Sequence, residues 1–208
     1  MFTEILDSHQ YQLLPLIEKF KREFYLVGGT AIALQLGHRR SIDFDLFKTK
    51  SFNKKKIITH IEDQKLPYKL IYQESNQLHL LVNNVKLTFF EYGFEIPHKI
   101  WFEKTISMPT LIDLAAMKAY ALGRRAKWKD YVDLYWLLKN VCTLNELCIR
   151  SEQLFGELFS EKMFRQQLCF FKDIDFSEEV MYIKEEIPRE TIENFLVETS
   201  LNGISKNK

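Results

Sequence analysis

The sequence predicts an α+β fold, with a mixed sheet and its helices in the first half and a helical bundle in the second. Three observations carry the prediction. Short apolar or alternating runs are interleaved with amphipathic segments as far as Met108. Beyond Pro109 the apolar spacing becomes helical almost throughout. No repeat, low-complexity tract or Gly/Ser/Pro-rich linker breaks the chain into further parts. The predicted organisation is an α/β domain over residues 1–108 and a helical domain over residues 109–208.

Each element has a local reason. Residues 9–22 place Tyr11, Leu13, Leu14, Leu16, Ile17 and Phe20 at helical spacing. Residues 24–27 form a short apolar run stopped by Gly28-Gly29, which predicts a buried strand. Residues 30–36 suit a compact helix closed by Gly37, the residue type favoured just past a helix end. Residues 42–47 alternate apolar and acidic side chains, predicting a strand with Ile42, Phe44 and Leu46 in the core and both aspartates opposite. Residues 51–65 read as a helix with Ile57, Ile58 and Ile61 on one side and lysines on the other. Three strands follow at 68–72, 78–82 and 85–92, with Asn83-Asn84 as a tight hairpin turn. Helices are then expected at 111–122, 131–138, 144–155 and 162–171, and after Pro188.

Composition narrows the functional classes. The 208 residues are 46% hydrophobic and carry a net charge of +1, which excludes a disordered or strongly basic chain. Cys142, Cys148 and Cys169 have no CxxC spacing, so they are expected as buried apolar residues in a reducing compartment and not as zinc ligands. The opening MFTEILDSHQ lacks the order of a signal peptide, and no apolar run is long enough to span a bilayer. A cytoplasmic protein with no membrane partner is expected.

The stretch LVGGTAIALQLGHRRSIDFDLF concentrates the chemistry. Asp43 and Asp45, two apart on a strand, project together and repel unless a cation lies between them. Magnesium suits such a pair, since it binds through one or two carboxylates together with water and phosphate oxygens. Gly28-Gly29 between a strand and a helix allows a ligand close to the backbone, where free N–H groups and the helix dipole favour phosphate, and Thr30 adds a hydroxyl. Either feature alone also fits an ordinary turn or a solvated strand face. Together they describe a nucleoside triphosphate site. Arg39 suits the triphosphate, the strand's own carboxylates or a merely solvated loop, and Ser41 suits a cap on the turn. The cluster Lys48, Lys50, Lys54, Lys55 and Lys56 fits either RNA phosphates or a solvated helix face.

VGGTAIALQLGHRRSIDFDLF resembles the signature of the DNA-polymerase-beta-like nucleotidyltransferase superfamily: two glycines, a short helix, then a DxD strand. With Gly37-His38-Arg39 and Ser41 before the aspartates, it resembles more narrowly the AbiEii/AbiGii toxin family. DLAAMKAYALGRRAKWKDYVDLYWLL, residues 113–138, is similar to that family's helical motif, and LCFFKDID to a later segment. The resemblance spans roughly residues 20–180. It implies a nucleotidyltransferase core followed by a helical bundle, moving a nucleoside monophosphate from an NTP to a tRNA or protein hydroxyl. It further implies magnesium, with manganese as a substitute, and membership of a toxin–antitoxin or phage-defence pair with a cognate antitoxin. Asp43 and Asp45 would then bind metal, with Lys118, Lys129 and Asp130 alongside them in catalysis. Gly28, Gly29, Thr30, Arg39, Ser41 and Arg125 would bind nucleotide. Read from residue types alone, Lys118, Arg125 and Lys129 could meet phosphates or a base, and Lys129, Asp130, Asp133 and the arginines fit an inter-helix salt-bridge network equally well.

One position departs from the superfamily pattern. Many members carry a third carboxylate on a later strand beside the pair, and in VKLTFFEY that position resembles Thr88. Glu91 falls on the opposite face by alternation, and Glu74 has no pattern to support it. The missing acid leaves open a protein that binds nucleotide, RNA or a partner on the same scaffold without turnover.

Overall fold

A computed structural model describes residues 1–183 and 185–202. Two compact units divide the chain, Met1–Thr110 and Leu111–Lys208.

The first unit opens with helix α1, Ser8–Lys19. Its start is a reciprocal cap: the Gln10 backbone N–H donates to Asp7 Oδ1 at 2.8 Å, and the Asp7 N–H donates to Gln10 Oε1 at 3.1 Å. Strand β1 (Tyr25–Val27) runs directly into α2 (Gly28–Leu36). The helix thus begins two residues earlier than the sequence predicts and takes both glycines into its first turn. Gly37, at φ +64°, closes it in the left-handed conformation. Strand β2 (Phe44–Lys48), helix α3 (Lys54–Asp63), and strands β3 (Tyr68–Glu74), β4 (Gln77–Val82) and β5 (Val85–Glu91) follow.

The five strands form one sheet in the order β1-β2-β5-β4-β3. Only the β2–β5 pairing is parallel, because α3 and the β3–β4 hairpin carry the chain across before it returns beside β2. Asn83 and Asn84, both at positive φ, make the tight turn between β4 and β5 that the sequence predicts. One face is the core: Phe44, Leu46, Leu78, Leu80, Leu87 and Phe89 are buried there, with Leu13, Leu16 and Ile17 of α1 and Ile57 and Ile61 of α3 also buried. Phe89 meets Phe20 and Phe24 edge-on at 5.0 and 5.3 Å between ring centres. A further hairpin, β6 (Ile100–Phe102) and β7 (Ile106–Met108), was not expected.

Three expectations need correction. Asp43 precedes β2, so only Asp45 is a strand residue. Ile42 lies 44% exposed and outside the core, because the chain there is held by polar contacts and not by strand pairing. Cys142 and Cys148 are buried, but Cys169 is exposed at the end of a helix.

The second unit holds α4 (Leu111–Leu122), α5 (Trp128–Asn140), α6 (Leu144–Phe155), α7 (Glu161–Leu168) and α8 (Arg189–Leu201). Helix α4 packs on α5, α6 and α7, while α8 packs on α5 and α7. Tyr131, Leu134, Tyr135, Leu137 and Leu138 are buried, as helical spacing demands. Among the described residues, no helix is long and apolar enough to cross a membrane.

Candidate active site

The glycine corner is built around the acids. Gly28 adopts φ +71°, and a Cβ placed there would overlap the Asp45 carboxylate and come within 3.1 Å of its Cγ. Asp45 therefore rests against the first residue of α2, where N–H groups lack intrahelical partners. The sheet makes this contact: Val27, immediately before Gly28, is the antiparallel partner of Asp45. At Gly29, a Cβ would lie 2.5 Å from Arg39 Nη2 and 2.9 Å from Ser41 Oγ. Only a residue without a side chain admits Arg39 and Ser41 so close.

The segment carrying Asp43 is fastened from below. Gln10, fully buried, donates from Nε2 to the Ser41 carbonyl at 2.8 Å. The buried Thr30 hydroxyl donates to the Asp43 carbonyl and lies 2.9 Å from Ser41 Oγ. The hydroxyl expected to meet phosphate is thus spent inside the corner, and Ser41 is held with it. Arg39, 2% exposed, donates from Nη1 to the Arg40 carbonyl at 2.8 Å. These three residues shape the corner, while Asp43 and Asp45 stay partly exposed.

A row of paired residues crosses the sheet through Asp45. In β5 its partner is Thr88, whose partner in β4 is His79, whose partner in β3 is Tyr72. Directly paired residues share a sheet face, so Thr88 stands beside Asp45 where the sequence places it. His79 was missed. Its signal was available, because a two-residue turn at Asn83-Asn84 fixes the register that sets His79 opposite Thr88. Burial pushes the His79 imidazole below its ordinary value, helped by the Lys86 ammonium and opposed by Asp45. Among the described residues, no group of three or more His, Cys, Asp or Glu side chains converges as a metal cluster. A pair of carboxylates suits magnesium, which leaves much of its shell to water and phosphate.

In the second unit, Lys118 of α4 is buried and reaches both Asp130 and, at 2.9 Å, Asp133 of α5. Arg125 Nε lies 3.2 Å from the other Asp130 oxygen, with its side chain 54% exposed. Lys129 turns elsewhere, to Glu178 at 3.4 Å. Lys127 also pairs with Glu178, and with Lys129 it holds that carboxyl below its ordinary value. The helical motif is therefore two groups: a buried Lys118–Asp130–Asp133 cluster edged by Arg125, and an outer Lys127–Lys129–Glu178 cluster. Of the basic run in the first unit, Lys48 and Lys56 pair with Glu23, and Lys54 donates to the Ser75 carbonyl at 3.1 Å.

The mixed sheet with its helices has the fold of nucleotidyltransferase toxins. MenT4, a nucleotidyltransferase toxin from Mycobacterium tuberculosis H37Rv, superposes with a TM-score of 0.64 over 93% of this chain and 82% of its own, at 11% identity. JHP933 from Helicobacter pylori gives 0.58 over 93% and 89%, at 16% identity. The antibiotic-resistance factor ANT(2'')-Ia gives 0.52 over 71% and 91%, at 11% identity. An uncharacterized protein of Aquifex aeolicus (strain VF5) is 33% identical over 162 residues, 74% of this chain and 69% of its own. Residues 91–200 match the family described as nucleotidyl transferase AbiEii toxin, type IV toxin–antitoxin system. The chain belongs to the AbiEii nucleotidyltransferase toxin family.

Proposed function

We propose that the protein transfers a nucleoside monophosphate from an NTP to a hydroxyl of a tRNA or a protein, releasing pyrophosphate, with magnesium or manganese bound at Asp43 and Asp45. The reading includes a cytoplasmic toxin acting opposite a cognate antitoxin. The observation that carries it is the Asp45 carboxylate seated against Gly28, which brings a carboxylate and a helix N-terminus within one triphosphate's reach. A bound divalent ion supplies charge neutralisation for the attacking hydroxyl and the departing pyrophosphate. The protein's part is positioning. Gly28 and Gly29 offer backbone N–H groups to phosphate, and Thr30, Ser41 and Arg39 keep the corner open at the required width. Lys118, Arg125, Lys129 and Asp130 are assigned to orienting nucleotide or acceptor.

Thr88 in register with Asp45 favours a second reading, a module that binds nucleotide without turnover. One experiment separates the two. The protein is incubated with magnesium and each α-labelled NTP in the presence of total RNA and total protein. Label transfer that vanishes in Asp43→Ala and Asp45→Ala supports the enzyme. Binding of magnesium and NTP without transfer supports the module, and stabilisation unaffected by either alanine rejects both. Ligand held by the acids stabilises the fold by about 2.7 kcal/mol at a hundredfold excess over Kd, readable as a rise in melting temperature.

A further inference from the structure

We propose that His79 is the proton acceptor for the attacking hydroxyl, filling the role that Thr88 cannot. This rests on the nucleotidyl-transfer reading. The argument begins with an amide. Gln77 Nε2 donates to a Glu74 carboxylate oxygen at 3.2 Å, which turns Gln77 Oε1 away from that acid. Oε1 then faces His79 Nε2 at 2.9 Å. An amide oxygen only accepts, so Nε2 carries hydrogen and the lone pair sits on Nδ1. Glu74 is anchored in turn by the Tyr72 hydroxyl, and the Tyr72 ring meets the imidazole edge-on at 5.6 Å. A chain from Glu74 through Gln77 therefore sets both the tautomer and the tilt of His79.

Position supplies the rest. His79 stands on the Asp45 row with Thr88 between them, all three on one sheet face. Two strand spacings, about 9.5 Å between backbones, separate acid from imidazole, and both side chains stand over the same sheet face. A hydroxyl held beside Asp45 would stand over the same face as the ring, to be met by Nδ1 directly or through one water. The charged and titratable groups around the ring are Lys86 of β5, Asp45 of β2, and Tyr72 and Glu74 of β3. Burial and then Lys86 lower the imidazole's hold on a proton, against the pull of Asp45, which favours the neutral form a base must have. In the step, the hydroxyl proton passes to Nδ1 and its oxygen bonds to the α-phosphorus. The bond from that phosphorus to the bridging oxygen breaks, and its electron pair leaves on pyrophosphate.

The test uses the full chain with magnesium and α-labelled NTPs, with total RNA and total protein as acceptors. His79→Gln should lower the transfer rate 10²- to 10⁴-fold while leaving thermal stabilisation by magnesium and NTP unchanged. The wild-type rate should fall on acidification through the imidazole range, and the variant's should not. Thr88→Asp added to His79→Gln should restore part of the rate by returning a carboxylate to the row. A His79→Gln variant with the wild-type rate and pH profile overturns the proposal. So does a nitrogen NMR spectrum showing the wild-type ring protonated on Nδ1, a reading that needs no turnover. Failure of the underlying reading shows separately: Asp45→Ala would keep the stabilisation by magnesium and NTP, and the base assignment would fall with it.

Discussion

Gly28→Ala puts the glycine corner under the most direct strain. Two costs follow from the structure, and they fall on different measurements. The first is conformational. Position 28 sits at φ +71°, where an L-residue costs about 1–2 kcal/mol. The second is steric. The new methyl would overlap the Asp45 carboxylate and lie 3.1 Å from Cγ and 3.3 Å from Cβ, inside the roughly 3.5–4.0 Å of a comfortable carbon contact. Rotating the carboxylate relieves its share of the clash but moves the oxygens proposed to hold metal by about an ångström, a displacement worth on the order of 10² in rate. The expected signature is therefore lopsided: about 1–2 kcal/mol in urea unfolding, against roughly hundredfold in label transfer and a lost response to magnesium and NTP. Gly93→Ala is the control, since a Cβ there meets nothing within 4 Å. A folded Gly28→Ala protein with wild-type transfer and ligand stabilisation would refute the claim that this glycine exists to seat the acid.

Other outcomes follow from the second unit. Lys118→Met removes the buried ammonium that Asp130 and Asp133 share and should cost about 3–5 kcal/mol in chemical denaturation, whereas Arg125→Met, at an exposed position, should cost under about 1 kcal/mol. The Glu178 carboxyl is held below its ordinary 4.5 by Lys127 and then Lys129. Its contribution is present above that value and disappears as pH falls through the depressed folded value. Glu178→Gln should accordingly unfold earlier than wild type at pH 7, and the gap should close on titration below pH 4.5. Burial drives the Cys142 and Cys148 thiols up to about 11 and about 12, so iodoacetamide at pH 8 should label the folded protein once, at Cys169, by mass spectrometry.

Much of the architecture was legible because its signals are local. Gly37 past α2, Asn83-Asn84 between β4 and β5, and the helical spacing of Tyr131, Leu134 and Tyr135 each depend on nearby residues alone. What escaped depended on distant ones. Asp43 leaves β2 because Thr30 and Gln10 hold its neighbourhood through hydrogen bonds that no alternation pattern records. The β6–β7 hairpin has three-residue strands, too short to show a period. The separation of Lys118 from Lys129 turns on Glu178, far along the chain from both. The place of His79 opposite Thr88 follows from the Asn83-Asn84 turn by counting register along β4 and β5.

The parallel union of β2 with β5 has a consequence for synthesis. A ribosome that has released residues 1–80 has already made both aspartates and the glycine corner, but not the strand beside which Asp45 is laid down. Unfinished or truncated chains thus carry Asp43 and Asp45 without the strand that aligns Asp45. That alignment arrives late in translation, once residue 91 has left the exit tunnel.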